Sequence, residues 1–401
     1  MNDARATIAT PLSPPAPTAP PVWLLAMMTA LGPLSTDLYL PALPLIGVAF
    51  DAGPAAVQWT LSGFMMGFAP AMLVYGPLAD RFGRRPVMLA GSLLFLAASA
   101  LCALAPSLPA LVLARAVQAF GACSGPVLVR AIVRDTVPPA RMGAVMATIS
   151  GLMSLAPAAG PVIGGLVLQA AGWRACFLLL SLAAAALVVV LWRRLPETAP
   201  GLDPNAMQIS AVVAAQLEFA ASRSFRLNTA ISTTSYSALF AFISAGTYVV
   251  QEGLGLSPTG FGLCFGAVAG TYFLGAMIAS RISTRMGPRR MVRLGAVMAA
   301  STASAGLACL LAFGPSIGTI VVPAALNMIG FAMTQPNAMA GAVMPFPHMA
   351  GRASSTLGFV QWGFAALSGF ALASVLDYGG IALAAFSTAW TLLALLAAAR
   401  L

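Results

Sequence analysis

Charge is what this sequence has least of. Only 7% of its 401 residues are Asp, Glu, Lys or Arg, while 60% are hydrophobic; an ordinary soluble chain carries about a quarter charged residues. That deficit excludes a soluble globular protein. No soluble core absorbs so much apolar side chain, whereas a bilayer takes about 20 mostly apolar residues for every span. Histidine occurs once, at His348, which excludes a buried Ser/His/Asp triad; beside Pro347 it reads as a solvated loop residue. The five cysteines, Cys102, Cys123, Cys176, Cys264 and Cys309, lie apart inside apolar runs. With no CxxC spacing and no paired loop positions they read as small packing residues, which excludes a metal centre or a disulfide framework. A G-x-x-x-x-G-K-[ST] phosphate loop is absent as well, so nothing points to transport powered by ATP, to an enzyme or to a resident cofactor.

What is present is a succession of apolar runs punctuated by Gly, Pro and Arg. They predict an all-α integral membrane protein with twelve transmembrane helices, at 22–50, 56–80, 87–105, 108–134, 143–171 and 174–194, then at 226–251, 259–284, 290–313, 318–344, 351–376 and 379–399. The formal charge of +10 comes from twenty basic residues, all Arg, against ten acidic ones. Their placement argues for topology and against nucleic acid. With both termini cytoplasmic, fifteen arginines, from Arg81 to Arg352, fall on the inner side and only Arg174 lies in an outer loop, the positive-inside asymmetry.

Residues 1–21, with six prolines between Pro11 and Pro21, read as a disordered cytoplasmic tail and not as a secretory signal. One long polar connection, 196–225, divides the chain into two six-helix bundles, 22–195 and 226–401. Within it Ile209, Val212, Val213 and Leu217 fall at helical spacing, so an amphipathic surface helix and a partly ordered linker are both open. The halves echo one another: Arg81-Phe82-Gly83 and Arg285-Met286-Gly287 stand 285 − 81 = 204 residues apart, each after the second span of its half. Weak internal symmetry of this kind marks transporters built from repeated bundles around a midplane cavity.

Three motifs carry chemistry. The loop after span two reads Gly76-Pro77-Leu78-Ala79-Asp80-Arg81-Phe82-Gly83-Arg84-Arg85. Its glycines suit a tight turn and close helix packing. Asp80 can accept hydrogen bonds from arginines or a helix N-terminus, so a latch between the halves is expected there. Span five carries Pro157, Gly160, Pro161, Gly164 and Gly165, small residues that let another helix approach and prolines that bend the span. Arg115 and Asp37 are charges placed deep in spans four and one, where a functional role facing the bundle is the default. Asp37 lies about 22 Å along span one and Arg115 about 10 Å in from the outer end of span four, so the two fall at similar depth.

The span-two loop resembles the G-x-L-a-D-r-x-G-r-r/k signature of the major facilitator superfamily. The span-five run is similar to the antiporter motif of its exporters, and Arg115-Ala116-Val117-Gln118 with Gly121 resembles its R-x-x-Q-G motif, loosened by Ala119 and Phe120. Ser35-Thr36-Asp37-Leu38-Tyr39-Leu40-Pro41, Leu195-Pro196-Glu197-Thr198 and the Ala-Gly pairs near span eleven resemble the Bcr/CflA-type branch of proton-driven bacterial drug exporters. In the second half Thr284 replaces the acid of the repeated loop motif.

The resemblance implies a major facilitator fold of two pseudo-symmetric bundles in the bacterial inner membrane. It also implies proton-driven efflux of small amphiphilic drugs by a monomer, with phenicols, bicyclomycin-like compounds or sulfonamides as first substrates to test. Asp37 would alternate between a proton and an interaction that accompanies drug binding, and Arg115 would set its proton affinity. Candidate cavity residues are Tyr39, Gln58, Met65, Gln118, Tyr236, Phe240, Asn327, Gln335, Asn337, Gln361 and Trp362, a flexible and largely uncharged surface. The alternatives are a major-facilitator exporter of an endogenous metabolite, such as a sugar or amino acid, and a membrane receptor or scaffold without turnover.

Overall fold

Apolar runs of this length satisfy their own backbone only as helices when no water is at hand, and helices are what the chain forms. The structure, a computed structural model, describes residues 19–153 and 155–401; most of the proline-rich tail expected at the N-terminus lies outside them. The helices are α1 (Val22–Asp37), α2 (Leu43–Ala49), α3 (Pro54–Phe82), α4 (Arg84–Ala103), α5 (Leu108–Thr136), α6 (Pro139–Met153), α7 (Leu155–Ala171) and α8 (Trp173–Arg194). They continue with α9 (Ile209–Ala221), α10 (Arg223–Tyr248), α11 (Pro258–Met286), α12 (Pro288–Phe313), α13 (Ile317–Val343), α14 (Ala350–Ala373) and α15 (Gly380–Ala399).

Among the described residues nine helices are long and apolar enough to cross a membrane. Large apolar side chains point outward from them, among them Leu182, Trp192, Leu263 and Leu367, as lipid contact requires. The other three expected crossings depart from a plain apolar helix for separate reasons. The first is interrupted: α1 stops at Asp37 and a short turn over Leu40–Ala42 leads into α2, because Pro41 and Pro44 cannot donate to the preceding turn. The fifth is carried by α6 and α7, on either side of residue 154. The seventh, α10, is rich in Ser and Thr, whose hydroxyls return to the helix itself, as Ser237 does to the Thr233 carbonyl at 2.9 Å. It ends in a π turn over Val249–Gly253.

The helices pack in two sets, α1 to α8 and α10 to α15, which meet chiefly where α3 lies against α14 and α7 against α11. The 204-residue echo is also an echo of geometry. Gly83 joins α3 to α4 at φ 97° and Gly287 joins α11 to α12 at φ 74°. Each is a one-residue joint that a side chain would strain.

The connection between the sets contains a helix, α9. Val213 and Leu217 are exposed, while Ala215 and Phe219 are buried. The Phe219 ring stacks on Phe225 at 5.1 Å and meets Phe346 edge-on at 4.9 Å, docking α9 onto the second set. Burial of one Phe contributes about 1.5–3 kcal/mol to such a contact. His348, in the short turn before α14, is exposed as expected and stands 4.0 Å from Glu218 of α9.

Candidate functional site

Pro33 lies inside α1, and the helix closes with the Leu38 N–H donating to the Leu34 carbonyl at 3.1 Å. Asp37 is thus held at a helix end in the interior, 4% exposed. Its one hydrogen-bond partner among the described residues is the Thr36 hydroxyl, which is shared between Asp37 Oδ1 at 3.2 Å and the Pro33 carbonyl at 2.8 Å. Gly160 of α7 closes over it; a Cβ there would stand 3.0 Å from the Asp37 Cβ. Tyr236 of α10, in the other set, lies within electrostatic reach of the carboxyl.

Arg115 of α5 is fully buried, but it does not pair with Asp37. The acid–base pairs within 4 Å among the described residues are Arg84 with Asp80 and Asp135, Arg134 with Asp135, and His348 with Glu218. Arg115 instead donates to the Ser35 carbonyl at 3.0 Å, to Gln118 Oε1 at 2.5 Å and, from Nε, to the Thr60 carbonyl at 3.4 Å. Its guanidinium carbon lies 4.2 Å from the centre of the Tyr39 ring and 4.4 Å from that of Phe64, so aromatic faces replace the carboxylate as its electrostatic surroundings. The Ser35 carbonyl is free to accept because α1 ends before any N–H can reach it. Arg115 therefore fixes the broken end of α1 two residues from Asp37.

The expected cavity residues divide. Tyr236, Trp362, Gln335 and Gln361 come together at the junction of the sets. Trp362 stacks on Phe68 of α3 at 4.2 Å and meets Tyr236 at 5.5 Å. Gln335 donates 2.9 Å bonds to the Ser232 hydroxyl and to Gln361 Oε1, leaving its own Oε1 buried and unpartnered. Gln58, whose buried Nε2 has no partner, and Phe240 both face Gly369 of α14, while Met65 is buried in the core.

Four residues stand elsewhere. Tyr39 is sealed inside the first set, with its hydroxyl on Thr60 at 3.2 Å, and Gln118 is sealed there between Arg115 and Ser99. Asn327 donates to the Ala299 carbonyl of α12, and Asn337 to the Met333 carbonyl of its own helix. Phe68 was not singled out from sequence, since one Phe in an apolar helix has no distinguishing pattern.

The antiporter run serves two partners. A Cβ on Gly164 would fall 1.8 Å from the Leu38 carbonyl oxygen, and one on Gly165 would fall 3.0 Å from Pro258 of α11. Gly262 of α11 returns the contact, with its Cβ position 2.7 Å from the Pro161 carbonyl oxygen. One face of α7 thus seats the end of α1 and the other meets the second set. Pro157 opens this helix near its first turn.

Among the described residues the charges of the span-two loop are paired within the first set. Asp80 pairs with Arg84 at 2.6 Å, and Arg84 also bonds Asp135 of α5 at 2.9 Å. Arg85 donates to the Trp192 carbonyl at 2.8 Å, and Arg81 stacks over Phe82. Gly76, expected to pack closely, has nothing within 4 Å of its Cβ position; Gly83 would put a Cβ 2.5 Å from Glu197 Oε2.

Glu197 was legible only as part of the Leu195–Thr198 resemblance, yet it caps α4 and its own turn. Its carboxylate accepts from the backbone N–H groups of Arg84, Arg85, Thr198 and Ala199 at 2.8–3.2 Å. Burial pushes this carboxyl up, but the four N–H groups outweigh it and hold it below the usual Glu range. A carboxyl depressed in the folded state stabilises above its unfolded value and loses that contribution as pH falls through the folded one. Glu197→Gln is therefore expected to lower the melting temperature at pH 7 by a few degrees, with the gap closing below about pH 4; a gap that persists in acid would contradict this.

Residues 25–369 match the family model described as Major Facilitator Superfamily. The chain is 32% identical over 339 residues to a chloramphenicol resistance protein of Pseudomonas aeruginosa, covering 82% of this chain and 78% of that one. It is 29% identical over 356 residues, 88% of each chain, to a bicyclomycin resistance protein homolog of Haemophilus influenzae. Among solved structures it resembles a D-xylose-proton symporter, with a TM-score of 0.75 at 14% identity, over 94% of this chain and 95% of that one; at that identity the likeness concerns the fold alone.

Proposed function

The chain belongs to the Major Facilitator Superfamily, and from that premise we propose that it exports small amphiphilic drugs in exchange for protons across the bacterial inner membrane. In this reading the arginine-rich end, with Arg84, Arg85 and Arg134, lies in the cytoplasm together with both termini, and the protein works as a monomer without a resident cofactor. The observation that carries the reading is Asp37: one carboxyl deep in the junction of the two sets, with a single hydroxyl as partner and no cation bonded to it among the described residues. Relatives named for resistance to chloramphenicol and bicyclomycin give the substrate class.

A carboxyl so placed exchanges a proton for another interaction with little to displace. When the junction opens outward Asp37 takes a proton; when it opens inward, a drug settling among Tyr236, Trp362 and the Gln335–Gln361 pair drives the proton off towards the cytoplasm. Arg115 acts as a positioning residue, holding the Ser35 carbonyl so that the carboxyl stays at the seam while the sets rock. Aromatic faces and a few amides suit amphiphilic, uncharged ligands of varied shape.

The test is uptake into inverted vesicles driven by a pH gradient, with a phenicol panel and an ionophore control. Ionophore-sensitive accumulation is expected. Gradient-independent fluxes for every panel drug would sink the drug reading in favour of export of an endogenous metabolite.

A further inference from the structure

A second embedded cation has no role in the exchange described above. Arg130 of α5 donates from Nε to the Pro126 carbonyl at 2.8 Å and from Nη1 to the Ser354 hydroxyl of α14, across the junction of the two sets. No carboxylate lies within 4 Å of it among the described residues. Of the carboxylates at that end of the first set, Asp80 and Asp135 are taken by Arg84 and Arg134, and Glu197 by four backbone N–H groups. The residue is partly exposed and its Nη1 reaches α14, so its charge sits where the two sets meet.

Its depth follows from a contact. Gly125 of α5 packs on the Met28 carbonyl of α1, which sets those two residues at one level. Asp37 is nine residues from Met28 towards one end, and Arg130 is five residues from Gly125 towards the other. At 1.5 Å per residue the backbone of Arg130 stands about 21 Å from that of Asp37 along the helices, towards the arginine-rich end, and the Nε bond to Pro126 brings the guanidinium back by part of a turn. Arg134, whose Nη1 comes within 3.6 Å of the Cβ position of Gly351 on α14, adds a second guanidinium at the same mouth.

We propose that Arg130 is a charge filter at this mouth, admitting uncharged and anionic compounds to the crevice and rejecting permanent organic cations. An uncompensated charge at a narrow, poorly hydrated opening repels like charge well beyond hydrogen-bond range. A guanidinium keeps its proton throughout the physiological range, so the filter does not switch with pH. The substrate consequence rests on the export reading above, but the filter itself is a property of the crevice and is tested separately.

The experiment places Tyr236→Cys beyond the filter, in a chain whose native cysteines are replaced by alanine. It compares labelling rates in inverted vesicles by a cationic and an anionic methanethiosulfonate, each normalised to a free thiol. With Arg130 in place the anionic reagent is expected to be favoured. Arg130→Gln should shift the ratio about tenfold towards the cation, while Arg130→Lys, which keeps the charge, should leave it. A folded, monodisperse Gln variant with an unchanged ratio overturns the proposal, and so does an equal shift in both variants, which would assign the effect to the Ser354 hydrogen bond. In the drug arm, vesicles are expected to accumulate chloramphenicol and not tetraphenylphosphonium; equal uptake of the two would also overturn it. If the labelling ratio shifts as expected and neither compound accumulates, the export reading fails and the filter stands.

Discussion

Asp37→Asn should leave a folded protein that no longer accumulates chloramphenicol in inverted vesicles under a pH gradient. The amide is nearly the same size as the carboxyl and still accepts from Thr36, whose hydroxyl is 3.2 Å from Oδ1. Gly160 leaves the Cβ its present room. What disappears is the ability to bind and release a proton. The loss of gradient-driven uptake should be roughly tenfold to a hundredfold, the range of a coupling free energy of 1–3 kcal/mol. Downhill drug exchange between the two sides should persist, because the fold and the aromatic surface are untouched. Asp37→Asn vesicles that still build a wild-type gradient of drug would remove Asp37 from the coupling path.

Gly164→Ala should be the most damaging single-methyl change in the antiporter run. The added carbon would fall 1.8 Å from the Leu38 carbonyl oxygen and 2.8 Å from its carbon. Those are backbone atoms, so no rotamer change relieves the overlap and α7 must move off α1. That movement would also lift Gly160 from Asp37 and press Gly165 on the other face against Pro258. Overpacking of a well-packed contact costs about 1–3 kcal/mol and more where the backbone must shift. A clear fall in melting temperature, together with loss of uptake, is expected. Gly143→Ala on α6, whose Cβ position meets nothing within 4 Å, serves as the control and should stay within about 0.5 kcal/mol of wild type. Equal melting temperatures for the two variants would mean that α1 and α7 are not packed as described.

The contrast between those two glycines marks where the sequence stops being informative. The Gly-Pro-x-x-Gly-Gly spacing announces close approach by some helix, but a one-dimensional pattern does not name the partner, and here there are two, α1 and α11. Composition was enough for an all-helical membrane chain, because hydrophobicity acts locally. Asp37 and Arg115 were legible as costly charges in apolar surroundings. That they would not pair was not: it depends on α1 ending at Asp37, which leaves the Ser35 carbonyl as the better partner for the guanidinium. Asp135 and Arg130 escaped notice, and Glu197 was read only as part of a resemblance, for the opposite reason. Each sits near a span end where a charge is cheap and unremarked, and only the fold reveals that it is shared between distant elements. Tyr39 and Gln118 looked like cavity residues because they are polar within a span, yet a buried arginine needed both of them.

The connection between the two sets carries a mechanical limit. Glu197 fastens its beginning to the first turn of α4, and the Asp203 N–H is held 3.0 Å from the Asp80 carbonyl. Phe219 fastens α9 to the second set. Only the stretch from Asp203 to Ile209 is left as a leash, and two small turns, closed by the N–H groups of Ala206 and Gln208, already take up part of its length. Fully drawn out, those six links span about 20 Å. The leash therefore caps how far apart the two sets can swing at the arginine-rich end, and the widest opening costs the unwinding of both turns.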